Sequence, residues 1–393
     1  MTEHIITQEE IQKYSSLSEL ISEIGNGNYI LNIKNEINII KNFTIDKELN
    51  IVKGGILNIY GSGTLDIDDG NTLNINNGTL NIDDNSTLNI INGGTLNIYG
   101  NSTLNIDVGM LNINIGGTLK INGGKLNIIV NGILIINIGG MLNIDDGMLN
   151  INGGTLNIYG CYTLNINDNN TFNIINSGTL NINNCGKLNI IDGTLNIEEG
   201  ILNINNGGIL NIYGSGKLFI VYFSSTLNIN IGGTLNINIG GVLTIDDGGS
   251  LFIDNGTLNI IKNGTLGIFN FSVLIINNGM LNIIGYGTLD IVHSGKLNIN
   301  DNGTLNINDN GTISNDDNST LNVNGTLNIN DNGTLNNDNE CTLNINVNGT
   351  LNINNGGELN NDNEGTLNIN VNSTLNNNDG ILNNDGEINY IRE

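Results

Sequence analysis

The chain has 393 residues, with 54 glycines, no proline or tryptophan, and a formal charge of −26 from 38 acidic and 12 basic residues. Nucleic-acid binding needs clustered Lys and Arg to release counterions from phosphates, and the single arginine is Arg392, so contact with nucleic acid is not expected. No stretch approaches the ~18 uninterrupted apolar residues of a membrane-spanning helix, so membrane insertion is not expected either.

Residues 1–28 predict an N-terminal capping helix. Thr7 with Glu10 forms a capping-box pattern, Ile11, Tyr14, Leu17, Leu20, Ile21 and Ile24 fall on one helical face, and Gly25 ends it. Because open solenoid ends expose strand edges, such a helix is expected to cover the first coil. The segment has no basic region leading into an apolar run, so ordinary secretory export is not expected. Residues 29–56 read as lead-in coils, with Leu31, Ile37, Phe43 and Leu49 at a tighter step.

From residue 57 to 386 the chain repeats one short unit. About 43 units recur with a mean step of about 7.7 residues, as at Leu57, Leu65, Leu73, Leu80, Leu88 and Leu96. Within Thr95-Leu96-Asn97-Ile98, apolar and polar residues alternate, the period-two signature of a strand buried on one face. Asn-Gly, Asp-Gly and Gly-Gly pairs supply sharp corners. A flat antiparallel meander would leave a broad Leu/Ile face in water, whereas coiling buries that face around an axis and pairs the backbone in a parallel ladder. The fold class expected is therefore all-β, a right-handed parallel β-helix, or β-solenoid, with three strands per coil of about 23 residues.

Two register marks give the coil size. The second inward position, ordinarily Ile, is Asn at Asn315, Asn337, Asn361 and Asn384, which predicts a stacked internal asparagine ladder that pairs otherwise costly buried amides. Cys161 and Cys185 stand three units apart at one unit position, so a three-strand coil sets them one strand spacing from each other. With Cys341 left over there is no disulfide framework. Residues 387–393 form a short C-terminal tail, and the weak protection of that end raises self-association, end to end or side by side, as an expectation.

Few residues are available for chemistry. The only histidines are His4 and His293, and Asp pairs such as Asp246-Asp247 and Asp316-Asp317 sit where turns ordinarily place Asp. No catalytic, metal-binding or cofactor-binding residue is expected, and the chain is read as not an enzyme. Phe219, Tyr222, Phe223, Phe269 and Phe271 interrupt the uniform pattern and form a candidate ligand surface, for glycans among other partners, beside the alternative that they cover a corner.

The tandem Gly-Gly-Thr-Leu-Asn-Ile units of residues 57–382 resemble the repeats of bacterial adhesins and autotransporter passengers, and also the Asn/Ile-rich repeat proteins of giant DNA viruses of amoebae. The resemblance implies surface display or adhesion, at a virion or a cell surface. The function expected is a non-enzymatic structural or adhesive β-solenoid, with a carbohydrate-binding module and a degenerate polysaccharide-processing enzyme as alternatives.

Overall fold

The computed structural model describes every residue except 1, 26–27, 60, 62, 68–70, 83–85, 91–93, 100–101, 108–109, 114–117, 123–124, 130–132, 137–140, 146–147, 153–154, 159–162, 168–170, 185, 301, 339, 347, 363–364, 371 and 392–393. The chain is an all-β parallel β-solenoid of about 14 turns. It falls into two compact units, residues 1–188 and 189–393.

Each unit is built from short strands whose Leu and Ile point inward. Thr234–Ile237 is representative: Leu235 and Ile237 are fully buried while Thr234 and Asn236 are half-buried on the outer side. Burying one such aliphatic pair removes two side chains from water, each worth about 1.5–3 kcal/mol gross. Within each sheet, neighbouring repeat strands are three places apart along the chain and pair in parallel.

In the first unit, Glu36–Ile39 pairs with Ile56–Ile59 and that strand with Thr79–Ile82, always setting Leu or Ile against Leu or Ile. In the second unit, Thr194–Glu198 pairs with Lys217–Val221, then Val242–Asp246, Thr265–Ile268 and Thr288–Ile291 in one ladder. Two further ladders run through Ile201–Ile204 and through Ile209–Tyr213 in the same way.

Turns between strands use the left-handed backbone region, and where glycine does not hold it Asn and Asp most often do. Asn77 (φ 56), Asn206 (φ 48), Asp247 (φ 48) and Asn332 (φ 62) are examples. Their short polar side chains tolerate a conformation that β-branched and bulky residues avoid. The glycine just before a strand has a different reason. Gly233 is buried at an inner corner, where a Cβ would strike the carbonyl of Ile204 in the neighbouring coil.

The N-terminal segment departs from its sequence reading in two ways. Residues 2–5, expected within a helical cap, form strand Thr2–Ile5, which pairs in parallel with Tyr29–Ile33. The single expected helix is two, Gln8–Lys13 and Leu17–Ile24. The Thr7 capping box with Glu10 is present, but the first helix stops at Tyr14 because Ser15 and Ser16 turn to other work. The carbonyl of Ser15 accepts from Thr44 N at 2.9 Å, and Ser16 Oγ accepts from Glu19 N at 3.2 Å, starting the second helix. Gln8 acts as a strand substitute, donating to Asn38 O at 2.8 Å and accepting from Asn38 N at 2.7 Å. Among the described residues, no helix is long and apolar enough to cross a membrane.

Candidate functional site: an internal amide ladder and an aromatic corner

Both features lie in the second unit, along the ladder that contains Lys217–Val221 and, further on, Thr312–Asn315. The four core asparagines stand in register there, Asn315 against Asn337, Asn337 against Asn361, and Asn361 against Asn384. Each Nδ2 donates to the Oδ1 of the next at 2.7 Å. The same amides reach backbone carbonyls of the following strands, Asn337 Nδ2 to Thr366 O at 3.2 Å and Asn361 Nδ2 to Glu387 O at 3.1 Å. Asn315, Asn337 and Asn361 are buried, while Asn384 is exposed and donates to Gly386 O at 2.9 Å. Asn377, outside this column, accepts from Gly380 N at 3.0 Å.

The ladder has a polarity. Its donors point toward the C-terminal coils, opposite to the outer asparagine ladders, where Asn236 donates back to Asn211, and Asn259 to Asn236, at 2.8 Å. The first member therefore aims its Oδ1 at the coil before, where Ile291 stands in register and offers no side-chain donor. Asn315 Oδ1 is accordingly buried without a hydrogen-bond partner.

Immediately after these asparagines comes a column of carboxylates, Asp316, Asp338, Asp362 and Asp385, at equivalent positions on successive turns. The Oδ1 of Asp338 is shielded from solvent and unpaired. Burial, and then the neighbouring charges of Asp362 and Asp316, push the Asp338 carboxyl above its ordinary value. Asp290, on the outer face of the same ladder, is also raised, by burial alone. Beside the column, Cys341 fills an inner corner where glycine is usual, and its Sγ accepts from Ser319 N at 3.1 Å. Burial pushes its thiol up to about 12, far from a reactive thiolate.

Serines that take the glycine position just before a strand were not singled out by sequence reasoning. In the first unit, Ser86 Oγ donates to Ile59 O at 2.6 Å and Ser102 Oγ to Ile75 O at 2.8 Å. The hydroxyl thus bonds the kind of carbonyl that a plain Cβ would strike. The readable signal was Ser standing directly before Thr, as in Asn-Ser-Thr.

The aromatic candidates separate into two groups. Phe219 is half-buried on the outer face between Asn196 and Thr244, and the Phe269 ring lies over Gly267, filling the space a Cβ there would occupy. Tyr222, Phe223 and Phe271 are instead 49%, 78% and 65% exposed in the connections that follow these strands. The Phe223 ring rests against Gly248 in the next coil, and Gly248 N donates to Asn270 O at 3.1 Å, which sets Phe271 beside it one coil further.

At another corner, Asp254 and a set of asparagines from Asn277 to Asn348 line a groove of about 750 Å³. Its amides are already joined coil to coil, Asn300 to Asn277 and Asn324 to Asn300 at 3.1 Å. His4, in the first unit, is bonded to Glu10 at 2.9 Å, and His293, in the second, lies 3.2 Å from Asp317. Among the described residues, no group of three or more His, Cys, Asp or Glu is placed to hold a metal ion. Cys161 and Cys185 lie outside the described residues.

No protein-family model matches the chain, and no curated protein matches it. Among solved structures, the crystal structure of a TibC-catalysed hyper-glycosylated TibA55-350 fragment is similar over 91% of this chain and 97% of that one, at 15% identity and a TM-score of 0.24. At that score and identity, no property of the fragment passes to this chain.

Proposed function

We propose that the chain is a non-enzymatic structural and adhesive β-solenoid, displayed at a virion or cell surface. The observation that carries this reading is the continuity of its side-chain ladders. In the second unit, Asn189, Asn211, Asn236, Asn259, Asn282, Asn306, Asn328, Asn352 and Asn376 form one outer ladder, with Nδ2 to Oδ1 distances of 2.7–2.8 Å. A sheet that spends its outward positions on coil-to-coil bonds gains cohesion from the groups a catalytic face would need free. The finer architecture belongs to the same proposal: three-strand, right-handed coils, with the N-terminal strand and two helices covering the first coil. Gln8 on Asn38 and Ser15 on Thr44 support the covering role, since each occupies backbone groups on a strand edge.

Surface display is tested by a mass-spectrometric inventory of purified particles and of protease-shaved cells. Recovery of peptides from the shaved surface or from particles is expected. Recovery only from the soluble cytosol would sink the adhesive reading.

A further inference from the structure

The turns after the second unit's Thr194–Glu198 ladder use the left-handed region, with Asp247 (φ 48), Asn270 (φ 44) and Asp317 (φ 50) there and other polar residues at Glu199 (φ 54), His293 (φ 52), Ser294 (φ 65) and Glu340 (φ 60). Two aromatic residues take that conformation at the same corner, Tyr222 (φ 72) and Phe271 (φ 64). A bulky side chain there costs backbone energy, and exposure forfeits the burial that would offset it. Packing accounts for Phe269 over Gly267 and for the half-buried Phe219. It does not account for Phe223, which keeps 78% of its surface in solvent after covering Gly248, nor for Phe271 and Tyr222. These rings share one corner across three successive connections, and two strand spacings, about 10 Å, separate the 222–225 and 269–272 turns.

The charge around the rings has one sign. Glu198 closes its strand and Glu199 opens the preceding connection, both exposed, while between the rings Asp247 is exposed and Asp246, at the end of its strand, is half-buried with its Oδ1 accepting from Asn270 Nδ2 at 2.8 Å. Between Lys217 and Lys262 the sequence contains no Lys or Arg, and Lys217 opens the strand Lys217–Val221 at the end away from this corner. Aromatic faces attract cations, and carboxylates beside them strengthen that preference. A neutral sugar would use the rings and could hydrogen-bond the carboxylates, but it would leave their charge unpaired. An anionic ligand would be repelled, and an uncharged apolar segment would desolvate acids without pairing them.

We propose that this corner docks a Lys- or Arg-bearing extended segment of a partner protein, whose cations stack on Tyr222, Phe223 and Phe271 and pair with Glu199, Asp246 and Asp247. The proposal rests on the adhesive reading, which it deepens by naming the partner's chemistry. The two fail separately, because a cytosolic location removes the adhesive role without altering a binding isotherm.

The test is a fluorescence-anisotropy titration of the full chain with a labelled peptide of alternating Arg and Gly at physiological ionic strength. Phe223→Ser combined with Phe271→Asn leaves the charge unchanged and keeps turn-compatible residues, so it should unfold at the wild-type temperature and bind at least about tenfold more weakly. Asp246→Asn with Asp247→Asn should lose a similar factor, whereas the equally neutralising pair Asp309→Asn with Asp331→Asn should lose none. Wild-type binding by the aromatic variant, or equal loss from both neutralised pairs, would show diffuse attraction to an acidic chain and overturn the proposal. Neutral glycan binding lost in the aromatic variant, without peptide binding, would overturn it in favour of a carbohydrate surface.

Discussion

At the scale of single residues, the internal asparagines are the part of the second unit whose energetics depend most on pairing. Asn337 both donates to Asn361 and accepts from Asn315, so Asn337→Leu leaves the Oδ1 of Asn361 without its partner and the Nδ2 of Asn315 with only its longer bonds to Ser319 O and Thr342 O at 3.5 and 3.4 Å. The orphaned acceptor costs about 1–3 kcal/mol, and denaturant unfolding should show the loss as a lowered midpoint. Replacing Asn315, Asn337 and Asn361 together by Ile should recover most of that loss, because no orphan remains and Ile is the residue most other coils place there. The four positions were legible in the sequence from their spacing against an Ile background. The ladder's polarity was not, because it depends on which way each amide turns, and spacing is silent about rotamers. The unpaired Asn315 Oδ1 follows from that polarity and from Ile291 in the preceding coil.

Asp338 supplies a residue-scale prediction in pH. Its carboxyl is raised in the folded chain, so the native state takes up a proton before the unfolded state does as pH falls. The penalty for the charged form is present at neutral pH, shrinks as pH drops through the raised value, and is fully relieved below the ordinary 3.8. Asp338→Asn should therefore raise the thermal midpoint at pH 7, and the gap from wild type should narrow as the buffer is acidified. A gap that widens on acidification would contradict the burial and like-charge account. Cys341 makes the converse point about reactivity. With its thiol near 12, a chain carrying Cys161→Ser and Cys185→Ser should resist iodoacetamide at pH 8 while folded and label fully in denaturant, as intact-mass measurement would report.

At the scale of elements, the strands were legible almost unit by unit, because one alternation of Leu and Ile with polar residues decides both the strand and its buried face. The N-terminal segment was read less well, and the reasons are specific. Thr2–Ile5 has too short and mixed a pattern to announce a strand, and it becomes one through pairing with Tyr29–Ile33. The second helix did have a sequence signal, Ser16 with Glu19 three residues later, but continuous helical spacing of apolar residues from Ile11 to Ile24 concealed the break. That break lets Ser15 reach Thr44 and leaves Ile11, Leu17 and Leu20 buried from two short helices instead of one. Gln8 tests the covering role. Gln8→Ala removes both bonds to the Asn38 backbone and should cost about 1–3 kcal/mol, with hydrogen exchange at Asn38 rising well before exchange in Thr79–Ile82. Equal acceleration at both sites would mean that the segment does not protect the edge on its own.

At the scale of the whole molecule, repetition sets what the fold does with a local injury. Among the described residues, the repeat strands bond to strands three places away along the chain, so stability is a sum of coil terms and nearest-neighbour terms rather than the property of one shared core. Nearly identical Leu and Ile layers give successive coils similar intrinsic stability, and the outer asparagine ladder adds a coil-to-coil bond at each step. Leu243→Ala, in a strand paired on one side with Lys217–Val221 and on the other with Thr265–Ile268, should cost about 2–5 kcal/mol. That cost should appear as a local effect. Hydrogen exchange should accelerate most in those three strands, less in Thr194–Glu198 and Thr288–Ile291, and least in the more distant coils of the same unit. A uniform rise across residues 189–393 would instead reveal a single cooperative block, in which the coils behave as one globular core. A gradient of that kind also explains how Tyr222 and Phe271 can occupy costly conformations at one corner: each coil bears only its own strain, and its neighbours hold it in place.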